Sequence, residues 1–324
     1  MTEVNKSLKL YAGRSNPELA QKIADIAEVE LGKIRLTTFK NGEIYARYLE
    51  SVRGSDVFIV QSVASYEEGD VNDALMELLI MTDAAKRASA RTVTAVITHY
   101  GYSRQDKKSA SREPLSAKLV ANLLTVAGVD RTIAIDLHQG QIQGFFDTPV
   151  NHLTALPIFA DYFLKKGLKN ICVVSPDVGR AKASKKLADM LDADLAIMHK
   201  SRPLHNVAEV SSVIGDVAGK VCIINDDMID TAGTMKASAE TLKREGATAV
   251  YICATHGLFS GPAYERLMEA ELEEVVVCDT VPVPASRQND KIKVLTVAPL
   301  LANAIMNVYQ EASVSELFDP DFQL

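Results

Sequence analysis

Short β-branched runs alternate with longer helical patterns along the whole of a 324-residue chain, and no other feature constrains the fold as much. The strand candidates are DVFIVQS (56–62), RTVTAVIT (91–98), RTIAIDL (131–137), NICVVSPD (170–177), KVCIINDD (220–227), AVYICAT (249–255) and EVVVCDT (274–280). Most are near-continuous in apolar residues, as strands buried on both faces are. Between them lie segments of helical period. NPELAQKIADIAEVEL (16–31) offers Asn16 as N-cap and Pro17 at the first helical position, and sets Leu19, Ile23 and Ile26 on one face. DALMELLIMTDAAKRA (73–88) and PLSAKLVANLLTVAG (114–128) repeat the period, the second ending on Gly128 as a C-cap. Buried strands joined by helices predict an α/β protein with mainly parallel sheets flanked by helices. In such sheets ligands bind beyond the carboxyl ends of strands.

The length exceeds one typical core, which favours about two domains. The alternation restarts near TALPIFADYFLKK (154–166). This predicts a first domain over residues 1–150 and a second over 151–297, with a C-terminal helix in 298–315 packing back on the first. The formal charge of −7 argues against a general affinity for nucleic acid. No apolar run nears the roughly 18 residues that a membrane helix needs. MTEVNKSLKLYAG has no signal-peptide pattern. Cys172, Cys222, Cys253 and Cys278 each sit in an apolar run without a C-x-x-C pair, so they read as buried free thiols. The expectation is a cytoplasmic protein with no membrane or nucleic-acid partner.

One stretch carries chemistry. VCIINDDMIDTAGTM (221–235) ends an apolar run on Asp226 and Asp227, then turns on Asp230, Thr231, Ala232, Gly233 and Thr234. Two adjacent carboxylates repel each other and resist burial. The strand is expected to stop at Ile224 and a helix to start near Thr234. Small residues between them let backbone N–H groups approach an anion, and two threonines add hydroxyl donors. The paired acids suit sugar hydroxyls or a metal-bound group. A sugar phosphate matches both parts. The plainer alternative is a capped turn with Asp230 as an ordinary N-cap.

NDDMIDTAGT resembles the ribose-phosphate loop of the type I phosphoribosyltransferase fold, and within that group the chain resembles the ribose-phosphate pyrophosphokinase family. Residues 39–62, 99–124, 135–147, 173–177, 200–210 and 313–318 resemble it too, in its order, so the resemblance covers nearly the whole chain. It implies two type I phosphoribosyltransferase-like domains, the first binding ATP and the second ribose 5-phosphate. It implies transfer of the β,γ-diphosphate of Mg-ATP to the 1-hydroxyl of ribose 5-phosphate. The products would be AMP and 5-phosphoribosyl 1-diphosphate, a precursor in nucleotide biosynthesis.

The resemblance also distributes roles. Lys200 matches a catalytic lysine and Arg202 an arginine that contacts ribose 5-phosphate; HKSRPLHNVAEV (199–210) itself reads as a loop after a strand. A triphosphate reacting at its β-phosphorus gathers negative charge in the transition state, which placed cations stabilise. His138 and Asp177, both at expected strand ends, match ligands of Mg2+; Asp136 is alternatively a partner of His138. Magnesium prefers oxygen, so Asp177 is the more natural ligand. Phe39, Asn41, Gly42 and Glu43, with Arg104 and Gln105, match the ATP segments, although Asn-Gly alone signals a hairpin turn. Asp226, Asp227 and residues 230–234 match the sugar-phosphate site. Arg53, Lys108, Arg112, Ser313 and Ser315 match a regulatory anion site built across subunits, activated by phosphate and inhibited by ADP. A homo-oligomer follows, a hexamer by resemblance. Arg180 and Ala183 depart from the family, which more often has Gly and Arg there. Two rivals stay open: a phosphoribosyltransferase, which needs no triphosphate site, and an inactive regulatory homologue, which need not keep Lys200, Arg202, His138 and Asp177.

Overall fold

The computed structural model describes residues 7–201 and 210–314. The chain divides into two compact units. The first runs to Thr154 and takes in Thr280–Pro282 and the stretch from Thr296; the second holds Ala155–Asp279 and Val283–Leu295.

The first unit contains β1 (Leu8–Ala12), α1 (Pro17–Ile26), β2 (Ile34–Thr38), β3 (Ile44–Tyr48), β4 (Asp56–Ser62), α2 (Val71–Arg87), β5 (Thr92–His99), α3 (Ser116–Ala127), β6 (Arg131–Ile135) and β7 (Val150–Leu153). Its main sheet has the order β1-β4-β5-β6-β7, parallel throughout. Every residue of β4 is buried. Alternate side chains serve one face of the sheet. On it Tyr11, Val57, Ile59, Val93, Ala95 and Ile97 cluster with Leu75, Leu78 and Met81 of α2 and Ala117, Val120 and Leu124 of α3. β2 and β3 pair only with each other, as an antiparallel hairpin.

Helix starts follow the sequence closely. Asn16 accepts from the Leu19 N–H at 3.3 Å, and Pro17 opens α1. This helix ends at Ile26, short of the expected residue 31, and Ile26 is 47% exposed. The chain turns left-handed at Glu28 (φ 53°) so that Leu31 can bridge to Leu10 beside the sheet. Asp70 caps α2 by accepting from the N–H groups of Asn72 and Asp73, while the Asp73 carboxylate accepts from the Asp70 N–H. Asp70→Ala is expected to lower unfolding stability by about 1 kcal/mol, read as a shift of the urea midpoint at unchanged slope.

The second unit contains α4 (Leu156–Lys166), β8 (Ile171–Ser175), α5 (Ala181–Met190), β9 (Asp194–Ser201), β10 (Val210–Ile214), β11 (Val221–Ile229), α6 (Gly233–Arg244), β12 (Ala249–Gly257), α7 (Ala263–Glu269), β13 (Glu274–Cys278) and β14 (Ile292–Leu295). The sheet order is β10-β9-β8-β11-β12-β13-β14, with only β10 antiparallel to its neighbour. The four cysteines are free and buried. The last helix, α8 (Ala298–Tyr309), belongs to the first unit and packs on α1. Among the described residues no helix is long and apolar enough to cross a membrane.

Two expectations need correction. β11 does not stop at Ile224 but takes in the strand candidate 220–227 from Val221 onward and runs past it; its pairing with β12 continues to Met228–His256 and Ile229–Gly257, so Asp226 and Asp227 lie on the strand. Lys200 is likewise on a strand rather than a loop, opposite Ser211 in the antiparallel pairing of β9 with β10. In both cases ladder hydrogen bonds from a neighbouring strand override the turn-forming residues nearby.

Candidate active site

The second unit gathers its expected residues at the carboxyl ends of β8 and β11, which are adjacent and parallel. Beyond β11 the backbone runs through Asp230, Thr231 and Ala232 into α6. Ala232, not Asp230, occupies the N-cap position, with φ 58° and no side-chain cap. A left-handed alanine costs on the order of 1 kcal/mol, a strain kept at sites with a use for it. The ordinary capped turn is therefore not what forms. The loop is held through its carbonyls. Leu258 and Phe259 N–H groups donate to Ile229 O, at 2.9 and 3.0 Å, and Ser260 N–H to Asp230 O, at 2.9 Å. Arg266 Nη1 donates to Thr231 O at 2.9 Å. A helix start with no side-chain cap, set in a fixed loop, is the arrangement that receives an anion.

Asp227 is buried and Asp226 half-buried just before this loop. Asp226 Oδ1 accepts from the Asp227 N–H at 2.8 Å. Burial holds the Asp226 carboxyl well above the usual carboxylate range, and the charge of Asp227 and a side-chain hydrogen bond with it raise it further. Arg180 supplies the positive charge acting in the opposite direction. Its Nε is buried without a hydrogen-bond partner among the described residues. Arg180 is thus the cation whose charge favours the ionised form of Asp226. Asp177, exposed after β8, uses Oδ1 to accept the Arg180 N–H at 2.9 Å. Lys200 lies near the end of β9, the parallel neighbour of β8. Arg202 lies outside the described residues.

In the first unit the expected nucleotide residues lie on the hairpin tip and on the loop after β5, and the expected metal ligand His138 on the loop after β6. Phe39, Asn41, Gly42 and Glu43 are all exposed. The tip closes with Phe39 N–H donating to Glu43 O at 2.8 Å and Gly42 N–H to Phe39 O at 2.9 Å. Gly42 has φ 91°, and Asn41 Oδ1 accepts the Glu43 N–H at 3.2 Å, so the Asn-Gly turn does form. Arg104 and Gln105 are exposed, and Ser116 Oγ donates to Gln105 Oε1. Half-buried His138 follows β6, two residues after Asp136, which has φ 39° and accepts from Thr154 Oγ1 at 2.9 Å. Gln141 Nε2 donates to buried Asp106 Oδ2 at 3.0 Å, tying the loop after His138 to the loop holding Arg104 and Gln105.

The regulatory candidates are dispersed within one chain. Exposed Arg53 precedes β4, at the amino ends of the strands, whereas exposed Lys108 and Arg112 follow β5, at their carboxyl ends. Ser313 follows α8, its carbonyl accepting from Asn307 Nδ2 at 2.9 Å, and Ser315 lies outside the described residues. A cavity of about 230 Å³ sits at the amino ends as well, lined by Asp56, Arg91, Asp130, Arg131, Tyr309 and Glu311. It lies at the wrong end of a parallel sheet for chemistry, and its Asp56 is already paired with Arg91.

Sequence reasoning missed Arg14, Glu77, Asp106 and Arg266. Glu77 alone left a trace: it falls on the buried stripe of α2 with Ala74, Leu78 and Met81.

Comparison with known proteins agrees with this fold. Residues 8–128 match the family described as the N-terminal domain of ribose phosphate pyrophosphokinase, and residues 202–319 the phosphoribosyl synthetase-associated domain. The ribose-phosphate pyrophosphokinase of Fusobacterium nucleatum is 52% identical over 315 residues, 97% of this chain and 98% of that one. Its counterpart from Bacillus subtilis is 50% identical over 314 residues, with the same coverage of 97% and 98%. The crystal structure of phosphoribosylpyrophosphate synthetase from Mycobacterium smegmatis matches with TM-score 0.89 and 45% identity, covering 94% of this chain and 100% of that one. With identity of this order over nearly its full length, and two phosphoribosyltransferase-like parallel-sheet units, the chain belongs to the ribose-phosphate pyrophosphokinase family.

Proposed function

We propose that the chain performs its family's reaction by letting the 1-hydroxyl of ribose 5-phosphate attack the β-phosphorus of ATP. The bond from the β-phosphorus to the bridging oxygen breaks, AMP leaves with that oxygen, and the proton of the attacking hydroxyl is released. The product is 5-phosphoribosyl 1-diphosphate. The single observation that carries the sugar-phosphate half is the left-handed, uncapped entry to α6 beside buried Asp227 and half-buried Asp226. In this reading the loop from Asp230 to Thr234 takes the 5-phosphate on backbone N–H groups and threonine hydroxyls. Asp226 and Asp227 orient the ribose hydroxyls. Lys200 and Arg202 stabilise charge on the transferring diphosphate. Phe39, Asn41, Gly42 and Glu43, with Arg104 and Gln105, take the nucleotide.

Magnesium fits the residues present. Among the described residues no cluster of three or more His, Cys, Asp or Glu forms a cage for a metal. Mg2+ is seldom caged by protein alone; it keeps waters and takes phosphate oxygens from its substrate. Asp177 and His138 are its candidate protein ligands, and Asp177 retains an oxygen beyond the one that accepts from Arg180. When bound, the ion would neutralise triphosphate charge. The dispersed Arg53, Lys108, Arg112 and Ser313 suit a phosphate- and ADP-responsive site that takes more than one copy of the chain, within a homo-oligomer such as a hexamer. Buried free thiols suit a reducing, cytoplasmic setting.

The test is AMP release from ATP with magnesium and inorganic phosphate, with and without ribose 5-phosphate. AMP is expected only with the sugar, matched by a product that a phosphoribosyltransferase consumes. Nucleotide binding without AMP would favour an inactive regulatory homologue instead.

A further inference from the structure

The hairpin that carries Phe39, Asn41, Gly42 and Glu43 has no ladder to the parallel sheet. A two-stranded hairpin alone has little stability in water, so side chains must hold it in place. At its open end, Glu50 accepts from the Lys33 N–H at 3.1 Å and from Lys9 Nζ at 2.5 Å. At the end of β3, Tyr48 Oη donates to Met81 O at 2.9 Å, and its ring meets Tyr11 edge-on at 4.6 Å. Toward the tip, Arg14 Nη1 donates to Thr38 Oγ1 at 3.0 Å. Thr38 ends β2, one residue before Phe39.

Arg14 is itself fixed from behind. Its backbone N–H donates to Glu77 Oε1 at 2.7 Å and its Nε to Glu77 Oε2 at 2.5 Å. Glu77 is 0% exposed. A carboxylate so buried demands a partner, and Arg14 supplies it. Gln61 Nε2 adds a hydrogen bond to Glu77 Oε1 at 3.2 Å and one to Ala74 O at 3.0 Å. Gln61 Oε1 accepts from Ser15 Oγ at 2.6 Å, and Ser15 Oγ accepts from the Ser62 N–H at 2.9 Å. Gly13 closes the set, since a β-carbon there would lie 2.2 Å from Gln61 Oε1. The segment after β1 is thus locked to β4 and α2. Neutralising Glu77 uses Nε and the backbone; the reach of Nη1 to Thr38 is additional.

We infer that Arg14 is a positioning residue for nucleotide binding. It holds the hairpin tip from a base fixed by Glu77, Gln61 and Ser15, touching no substrate itself. The inference rests on the proposal that the hairpin residues bind ATP.

The test uses the full chain with magnesium and phosphate. Thr38→Val removes the contact and keeps the Arg14–Glu77 pair, so folding is preserved. Arg14→Lys keeps the charge but loses the fork that serves both partners. Each is expected to raise the KM for ATP about threefold to tenfold, the worth of one hydrogen bond. The KM for ribose 5-phosphate and, for Thr38→Val, the Tm should stay unchanged. Thr38→Ser, which keeps the hydroxyl, should restore the ATP KM. Phe39→Ala is the control for the hairpin itself. If it raises the ATP KM while Thr38→Val and Arg14→Lys do not, Arg14 has no positioning role and the hairpin reading stands. A lower Tm in Thr38→Val with both KM values unchanged also overturns the inference, leaving a purely structural contact. If Phe39→Ala changes nothing, the hairpin reading fails and the inference fails with it.

Discussion

Alanine in place of Lys200 is expected to lower kcat by about a hundredfold to a thousandfold, the usual cost of removing one donor to transition-state charge. The KM for ribose 5-phosphate should move less than about threefold, because a group that acts on charge developing in the transition state adds little to ground-state binding. β9 is parallel to β8 from Cys172–Asp194 to Ser175–Ile197. Lys200 therefore lies further along the same carboxyl edge that Asp177 occupies after β8. That is the edge where parallel sheets place their chemistry. A strand also fixes the backbone of Lys200 through its pairing with Ser211, which a loop would not. Lys200→Arg separates charge from geometry: partial activity would mean that a cation suffices, and none that ammonium shape matters. Calorimetric titration of ribose 5-phosphate into the alanine variant checks that the sugar site is intact. Turnover near the wild-type rate would remove Lys200 from the mechanism.

What was legible in the sequence depended on how far apart the interacting residues are. The span 56–62 reads as a strand and forms one over the same residues, because all seven are buried and the signal is local. The Gly128 C-cap is local too, and forms with φ 107°. β1, β7 and β14 went unread, being four or five residues long without a continuous β-branched run. The paired acids and small-residue loop were legible as a unit because they lie within ten positions. Their supports were not. Arg14 and Glu77 are 63 positions apart, and Arg266 is 35 from Thr231. Nothing in a linear pattern couples such pairs; only the fold brings them together. Arg180 is intermediate: the family resemblance singles it out, but its effect on Asp226 depends on β8 and β11 being neighbours.

Asp226→Asn is expected to separate stability from function. In the wild-type chain the Asp226 carboxyl titrates well above its ordinary range, raised by burial and by Asp227. A raised folded-state pKa means that the folded chain binds a proton the unfolded chain has released. Wild-type stability therefore falls as pH rises from the ordinary carboxylate range, about pH 4, through the raised folded value. Asparagine removes this fall. Its Oδ1 still accepts the Asp227 N–H, and its amide donates where a second carboxylate repelled. The ligand-free variant should match the wild type in Tm near pH 4 and exceed it increasingly as pH rises, until the folded wild-type carboxyl has ionised. Sugar binding should move the other way. Replacing an acid that accepts from a ribose hydroxyl weakens that hydrogen bond, so the KM for ribose 5-phosphate should rise roughly threefold to tenfold. The KM for ATP should hold. A pH-independent Tm difference would mean that Asp226 is not the group whose ionisation strains the fold. An unchanged sugar KM would mean that the strained acid is not kept for the ribose. Seen with the left-handed Ala232 and the buried Arg180 Nε, the expected pair of outcomes describes residues that cost the fold stability and serve the sugar.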